Sequence, residues 1–147
     1  MFKMWSELHG RKTLQNGTLG TMQKILVVDD SRIMRRIIAG YLIRMNLTNV
    51  VEASNGRQAL DILAAEDIDL VISDWSMQGV TGLDVLRAVR SKRSTQDLPF
   101  IMVTAEAQLY HILEAFRAQV SQYIVKPFSF RQFEYVIGSF LTVGFTG

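Results

Sequence analysis

Polar side chains with the chemistry to bind metals and anions stand directly after four short apolar runs of this sequence. They are Asp29 and Asp30 after ILVV, Asp74 after LVIS, Thr104 after FIMV, and Lys126 after YIV. Three carboxylates held close together repel one another and resist ionisation unless a cation neutralises them. A hard divalent cation such as Mg²⁺ suits such a group, because it prefers oxygen ligands and usually keeps several waters.

Lysine and threonine are poor candidates for ligands of the same metal, but they suit an anion bound beside it. Lys126 would supply a point charge and Thr104 a hydroxyl donor. A metal, an acidic cluster and anion donors together indicate phosphoryl transfer, in which an aspartate can be the nucleophile and form an aspartyl phosphate. Taken alone, each residue has a structural explanation, such as an aspartate capping a helix. Their shared position after four apolar runs is what favours a site.

The apolar runs predict the elements that position these side chains. Five runs are too short for helices and rich in β-branched or aromatic residues, which is typical of strands. They are ILVV (25–28), VVEA (50–53), LVIS (70–73), FIMV (100–103) and YIV (123–125). Apolar residues at helical spacing lie between and after the runs. Helices are predicted over about 33–45, 56–65, 82–91, 107–118 and 129–141.

A strand–helix alternation repeated five times predicts an α/β fold, a doubly wound five-stranded parallel sheet with helices on both faces. Ligands of such open sheets bind outside the carboxyl ends of the strands. The polar side chains that follow the strands are therefore expected to meet at one edge. Asp69, at the start of the third strand, would lie about 16 Å from Asp74 at roughly 3.3 Å per residue, so it is excluded from the cluster.

Length and composition indicate a single domain. The chain has 147 residues, an apolar fraction of 48% and no cysteine, which excludes disulfides and thiolate metal sites. It has no secretory signal and no apolar stretch near the roughly 18 residues of a membrane span, so we expect a cytoplasmic protein without membrane insertion. A net charge of +2 is too small to indicate a nucleic-acid partner. We interpret the basic run RAVRSKRS (87–94) as a solvated face.

The first 22 residues show no clear periodicity. We interpret residues 1–22 as a disordered N-terminal extension and residues 23–147 as the folded domain. The alternative is an amphipathic arm, formed through Phe2, Trp5 and Leu8, that docks on the domain.

Four motifs carry a resemblance to one family. They are VVDD (27–30), SDWSMQGVTGLDVL (73–86), MVTAEA (102–107) and YIVKPF (123–128). With these motifs at the family's spacing, the chain from about residue 24 to 141 resembles the receiver domain of two-component response regulators. It is most similar to the single-domain regulators of chemotaxis type. The resemblance implies a flavodoxin-like sheet with strand order 2-1-3-4-5.

The resemblance also implies a role for each side chain. Asp74 would accept a phosphoryl group from a phosphohistidine of a sensor histidine kinase or phosphotransfer protein. Mg²⁺ would be held by Asp29, Asp30, Asp74 and the backbone carbonyl of Ser76. Lys126 and Thr104 would contact the phosphoryl group, and Tyr123 would turn inward in the active state. A cis peptide is implied between Lys126 and Pro127.

By the same resemblance, the output surface comprises the fourth helix, the fifth strand and the fifth helix. It would bind a downstream protein target when the domain is phosphorylated. Phe128, Tyr135 and the tail VGFTG add more apolar surface than one packed helix face needs. A dimer contact through this surface therefore stays open.

Three positions depart from the family's usual pattern. Gln78 replaces a proline, which should make the loop SMQGVTG more mobile. Ser76 replaces a longer polar residue, which leaves the lifetime of the phosphoryl group open. Gln119 stands where a glycine commonly ends the fourth helix, so it either adopts a left-handed conformation or the helix ends differently.

Two other functions stay open beside the signalling switch. A Mg²⁺-dependent phosphohydrolase would use similar residues, although such enzymes commonly carry an Asp-x-Asp pair where this chain has adjacent aspartates. A degenerate receiver that acts only as a binding module would commonly lack an acidic or lysine position, and this chain has them all. His9 and His111 have no partners at metal-ligand spacing, and we interpret both as incidental.

Overall fold

The computed structural model describes residues 23–141, in which five strands alternate with five helices. The strands are β1 (Ile25–Val28), β2 (Val50–Ala53), β3 (Leu70–Ser73), β4 (Phe100–Thr104) and β5 (Gln122–Val125). The helices are α1 (Arg32–Arg44), α2 (Gly56–Ala65), α3 (Gly82–Ser91), α4 (Leu109–Arg117) and α5 (Phe130–Gly138). The predicted extension at 1–22, its docking alternative and the tail VGFTG lie outside the described residues.

The strands form one parallel sheet in the order β2-β1-β3-β4-β5, which confirms the predicted fold class. The register aligns the carboxyl ends of the strands. Val28 of β1 lies opposite Ser73 of β3, so the next residues, Asp29 and Asp74, leave neighbouring strands at the same level. Thr104 at the end of β4 lies opposite Val125, so Lys126 follows at the same edge.

Two apolar layers cover the two faces of the sheet, because successive side chains of a strand point to opposite sides. On one face Leu26 and Val28 pack in a cluster with residues of α2, α3 and α4. On the other face Ile25 and Val27 pack with residues of α1 and α5, among them the fully buried Phe133. Helices on both faces leave the edges at the strand ends as the place where polar groups can gather.

Short polar side chains fix where the helices next to the site begin. Ser31 accepts a hydrogen bond from the Met34 amide and is the N-cap of α1, so the cap is formed without the carboxylate of Asp30. Thr81 caps α3 in a capping box with Asp84. The loops that carry the site residues therefore enter their helices in defined conformations.

Helix α4 ends in the left-handed conformation that was one of the two predicted options. Gln119 has a φ of 70°, and the amide of Val120 donates to the carbonyl of Ala115 at 3.0 Å, which closes the last turn. The side chain of Arg90 donates to the Gln119 carbonyl at 2.9 Å and to the Leu98 carbonyl at 2.6 Å. These bonds from α3 offset part of the cost of a left-handed conformation at a residue other than glycine.

Gly82 is required at the start of α3 because the backbone of the site loop lies against it. A Cβ added at Gly82 would overlap the carbonyl oxygen of Asp74 and crowd the Cα of Trp75. We expect Gly82→Ala to lower the free energy of unfolding by about 1–3 kcal/mol, as overpacking does. Urea unfolding followed by circular dichroism measures it.

The matched control for this prediction is Gly40→Ala in the middle of α1. A Cβ added at Gly40 meets nothing within 4 Å, so this change should stabilise the protein by about 0.5–1 kcal/mol through the better helix propensity of alanine. Equal effects of the two substitutions would contradict the close approach at Gly82.

Candidate functional site

Three carboxylates meet at the carboxyl edge of the sheet. One oxygen of each of Asp29, Asp30 and Asp74 lies within 4.8 Å of the others. Asp29 and Asp74 are 1% and 7% exposed, whereas Asp30 is exposed to solvent. Oxygens around one Mg²⁺ at about 2.0–2.1 Å lie within about 4.2 Å of one another, so small rotations of these side chains would suit such an ion. The donor set therefore fits a hard divalent cation.

The ammonium group of Lys126 bridges two of these carboxylates. Its Nζ lies 2.8 Å from Oδ2 of Asp29 and 3.3 Å from Oδ2 of Asp74. Burial by itself lowers the pKa of Lys126, but the hydrogen bond to Asp29 and the charge of Asp74 raise the pKa and prevail. The lysine is thus held charged between the two aspartates. The Lys126–Pro127 peptide is cis, as the resemblance implied.

The loop after β3 holds the carboxylate of Asp74 in one orientation. The amides of Trp75 and Ser76 donate to its Oδ1 at 2.7 and 3.3 Å, while Oδ2 faces Lys126. The amide of Asp74 continues the sheet by donating to the Val28 carbonyl at 2.9 Å. One oxygen is therefore fixed by the backbone and the other faces the cationic side of the site.

Asp29 is buried with its hydrogen-bonding groups engaged. Its Oδ1 accepts from the amide of Ser31 at 2.9 Å and its Oδ2 accepts from Lys126. Its backbone carbonyl accepts from the guanidinium of Arg35 at 2.7 Å, and Arg35 is in turn paired with Glu52. The side chain of Asp29 is therefore held in one orientation on the buried side of the site, and Asp30 lies on the side that faces solvent.

Thr104 and Tyr123 are both joined to the loop that follows β4. The buried hydroxyl oxygen of Thr104 accepts from the amide of Glu106 at 3.2 Å. The hydroxyl of Tyr123 donates to the Glu106 carbonyl at 2.6 Å. The two predicted switch residues therefore contact the same residue of the loop. Residues 107 and 108 are in this loop and α4 begins at Leu109, two residues later than predicted.

A second chain of contacts, which the sequence analysis missed, joins this loop to the loop after β3. The hydroxyl of Ser76 donates to Oε2 of Glu106 at 2.9 Å. The other carboxylate oxygen, Oε1, lies 3.4 Å from Nδ1 of His111, whose ring packs edge-on against Trp75 at 5.0 Å. The spacing was a usable signal: Ser76 and Glu106 each lie two residues after a site residue on neighbouring strands. His111 was interpreted as incidental.

Asp69 lies away from this group of carboxylates, as expected. It is buried before β3 and accepts a hydrogen bond from the backbone amide of Lys24 at 2.8 Å. Lys24 directly precedes β1, at the opposite end of the strand from Asp29. This aspartate thus holds the entry of the sheet together.

Comparison with known proteins shows the family to which this chain belongs. The family model of the response regulator receiver domain matches residues 25–137. The chain belongs to the response regulator receiver family. This agrees with the resemblance predicted from the motifs, and it does not favour the phosphohydrolase or the degenerate receiver. Receivers of this type are signalling domains of two-component systems.

Two curated relatives are chemotaxis proteins. Chemotaxis protein CheY of Pseudomonas aeruginosa is 48% identical over 106 residues, which cover 72% of this chain and 86% of that protein. Chemotaxis protein CheY-3 of Vibrio cholerae is 43% identical over 111 residues, which cover 76% of this chain and 85% of that protein.

Solved receiver structures share the fold. The response regulator TrrA of Thermotoga maritima, in complex with Mg²⁺-BeF, has a TM-score of 0.73 and 31% identity, over 81% of this receiver and 99% of that chain. CheY4 of Vibrio cholerae has a TM-score of 0.75 and 28% identity, over 81% of this receiver and 98% of that chain. Within residues 23–141 of this receiver, every helix is too short or too polar to cross a membrane.

The phenol of Tyr123 should lose its proton at an unusually high pH. Burial, followed by the charges of Glu106 and Asp74, raises the pKa of Tyr123 to about 12 from 10.0. Because the folded state keeps this proton more tightly than the unfolded state, its contribution to stability is complete below pH 10 and is lost as the pH rises from 10 to about 12.

Ultraviolet absorbance of ionised tyrosine measures this titration directly. The wild-type protein should show one phenol that ionises later than the others, and Tyr123→Phe should remove that late step. If Tyr123→Phe removes an ordinary step near pH 10 and leaves a late one, the proposed surroundings of Tyr123 are wrong.

Proposed function

We propose that this receiver is a phosphorylation-activated switch in which Asp74 accepts a phosphoryl group from a phosphohistidine of a sensor histidine kinase or phosphotransfer protein. The observation that carries the proposal is the convergence at one sheet edge of the three carboxylates with Lys126 and Thr104. The receiver is proposed to assist its own phosphorylation and dephosphorylation rather than to turn over a separate substrate. We also propose that the receiver is cytoplasmic, because it must meet the kinase or phosphotransfer protein that phosphorylates it.

The metal in this proposal is Mg²⁺, held by Asp29, Asp30, Asp74 and the backbone carbonyl of Ser76. When bound, it would neutralise the carboxylates and the developing charge on the phosphoryl oxygens. The Mg²⁺-BeF complex of TrrA supports this assignment for a homologous receiver. The close approach of three carboxylate oxygens supports it for this chain.

The chain's own residues act on the transfer in distinct ways. A carboxylate oxygen of Asp74 attacks phosphorus, the bond from phosphorus to the donor imidazole nitrogen breaks, and the imidazole leaves with the electron pair. The amides of Trp75 and Ser76 hold the Asp74 side chain in position for attack. Lys126 lies 3.3 Å from Asp74 and would pair with the new phosphoryl oxygens.

Switching follows from the contacts of the loop after β4. A phosphoryl group at Asp74 offers Thr104 a new acceptor, and Thr104 is bonded to Glu106, which Tyr123 also contacts. We propose that an inward movement of Thr104 carries the loop with it and lets Tyr123 turn inward. The loop leads directly into α4, so the change reaches the surface formed by α4, β5 and α5.

This surface is apolar enough to bind a protein. Its exposed large apolar side chains are Leu109, Tyr110, Leu113 and Phe116 of α4, Val125 of β5 and Tyr135 of α5. Exposed apolar side chains grouped in this way are typical of protein-binding surfaces. We propose that a downstream protein target binds here when Asp74 is phosphorylated. A second receiver, forming a dimer, is the other candidate partner for this surface.

The start of the folded domain at residue 23 stays a prediction.

The experiment that tests the proposed function is incubation of the protein with Mg²⁺ and a small phosphodonor such as acetyl phosphate, followed by intact-mass measurement. A single phosphoryl adduct that needs Mg²⁺ supports the switch. Turnover of unrelated phosphate esters without an adduct would support a phosphohydrolase instead. The absence of both would support a receiver that acts only as a binding module.

A further inference from the structure

We propose that His111 is a positioning residue that sets the lifetime of the phosphoryl group on Asp74 by holding Glu106 against Ser76. The inference deepens the proposed function and rests on it, because a lifetime exists only once Asp74 is phosphorylated. It assigns a role to a side chain on α4 that the transfer mechanism does not use.

A chain of hydrogen bonds runs from Asp74 through Ser76 and Glu106 to Thr104. The Ser76 amide lies 3.3 Å from Asp74 Oδ1, the Ser76 hydroxyl lies 2.9 Å from Glu106 Oε2, and the Glu106 amide lies 3.2 Å from Thr104 Oγ1. Since Thr104 is proposed to contact the phosphoryl group, the Ser76–Glu106 contact bridges the two loops beside that group. The bridge is the part of this chain of contacts that is formed by side chains alone.

The ring of His111 places a nitrogen atom beside Glu106. Its Nδ1 is buried and has no hydrogen-bond partner among the described residues. Buried polar atoms are nearly always paired in native structures, so an orphan of this kind needs an explanation. The nearby acceptor is Oε1 of Glu106 at 3.4 Å, and a movement of a few tenths of an ångström would bring the pair to ordinary hydrogen-bond length.

Two aromatic side chains hold the ring of His111 in place. Its ring packs edge-on against Trp75 at 5.0 Å and lies against Tyr110 at 4.1 Å. Trp75 directly follows Asp74, so one side of the ring is fixed by the site loop and its Nδ1 side faces Glu106. The Glu106 carboxylate therefore lies between two side chains, Ser76 and His111, that can each donate to one of its oxygens.

The step that the bridge slows is hydrolysis of the aspartyl phosphate. The oxygen of a water attacks phosphorus, the bond from phosphorus to the Asp74 oxygen breaks, and the Asp74 carboxylate and inorganic phosphate are released with the water's protons. A phosphoryl group repels the carboxylate of Glu106, and the donor on His111 opposes that displacement. With the bridge intact, the side chains of Ser76 and Glu106 restrict the approach of water.

Two substitutions of His111 test the proposal. His111→Phe keeps a ring against Trp75 but removes the nitrogen, and His111→Asn keeps a nitrogen donor close to the position of Nδ1 while losing the ring. After phosphorylation with Mg²⁺ and acetyl phosphate and removal of the donor, loss of the adduct is followed by intact mass. We expect decay about 2- to 10-fold faster than wild type in His111→Phe, and a rate close to wild type in His111→Asn.

The double variant His111→Phe/Ser76→Ala tests whether the two residues act through one shared bridge or independently of each other. If Ser76 and His111 act through the same carboxylate, the double variant should decay about as fast as His111→Phe alone or Ser76→Ala alone. An unchanged lifetime in His111→Phe would overturn the proposal. Equal acceleration in His111→Phe and His111→Asn would also overturn it, because a nitrogen donor near the position of Nδ1 would then fail to restore the lifetime.

A measurement on the unphosphorylated protein tests this proposal separately from the proposed function. In side-chain ¹⁵N NMR, the Nδ1 signal of His111, assigned by its loss in His111→Asn, should shift when Glu106 is replaced by alanine. An unmoved signal would overturn the His111–Glu106 contact even in a protein that is phosphorylated normally. A moved signal in a protein that forms no adduct would confirm the contact while contradicting the proposed function.

Discussion

Asp74→Asn is expected to abolish phosphorylation completely while leaving the protein folded. The amide oxygen of asparagine can still accept from the amides of Trp75 and Ser76, which hold this side chain now. The nucleophilic carboxylate is gone, however, because an amide oxygen is far less basic and cannot form an aspartyl phosphate. Intact mass after incubation with Mg²⁺ and acetyl phosphate measures the loss of the adduct.

The matched control is Asp69→Asn. Asp69 is also a buried aspartate beside β3, but it lies at the other end of the strand and its oxygen accepts from the Lys24 amide. This variant should be phosphorylated like the wild-type protein. An adduct that survives in Asp74→Asn, or that disappears in Asp69→Asn although the protein is folded, would contradict the assignment of Asp74.

Asp30→Asn is expected to weaken Mg²⁺ binding strongly, and chelation with EDTA to prevent phosphorylation of the wild-type protein. Asp30 is the solvent-exposed member of the carboxylate group, so its replacement should cost little stability. It removes a full charge next to the cation, and we expect at least about a tenfold loss of affinity at moderate salt. Calorimetric titration with Mg²⁺ measures the affinity of each variant.

Asp84→Asn serves as the control for general electrostatic effects. Asp84 is an exposed carboxylate in the capping box of α3, outside the group formed by Asp29, Asp30 and Asp74. It removes the same charge and should leave Mg²⁺ affinity nearly unchanged. Equal losses in the two variants would mean that Mg²⁺ responds to net charge rather than to a site at Asp30.

The sheet and the meeting of the site residues were predictable because they depend on short-range patterns. An apolar run such as ILVV predicts a buried strand, and a strand in a parallel sheet delivers the next residue to the carboxyl edge. The register that places Asp29 beside Asp74 follows from packing those runs side by side. For this reason four separate positions in the sequence could be assigned to one site.

The contacts of the loop after β4 were not predictable in the same way. Whether residues 107 and 108 extend a helix or form a loop depends on Glu106, which is bonded to Thr104, Tyr123 and Ser76. Helical periodicity carries no record of such long-range bonds, so α4 was predicted to begin too early. The contacts of His111 are not predictable for a related reason: its neighbours Trp75 and Glu106 form no recognisable motif with it in the sequence.

Which carboxylate Lys126 contacts in the unphosphorylated protein could not be predicted from the sequence either. The lysine was predicted to contact the phosphoryl group, but its shortest contact in this structure is with Asp29 at 2.8 Å, with Asp74 at 3.3 Å. Which carboxylate a lysine approaches is decided by distances of a few tenths of an ångström, which depend on the packing of β1, β3 and β5. The pattern of residue types could only predict the group that they form.

Chemical trapping of the phosphorylated residue identifies the phosphoryl acceptor directly. An aspartyl phosphate is an acyl phosphate, so borohydride reduces it to an alcohol and converts the aspartate to homoserine. Wild-type protein treated with Mg²⁺ and acetyl phosphate, reduced, and then digested for peptide sequencing by mass spectrometry should contain homoserine at position 74 alone. Homoserine at position 30, or a phosphoryl group retained on Ser76 or Thr104 after reduction, would contradict the claim that Asp74 is the phosphoryl acceptor.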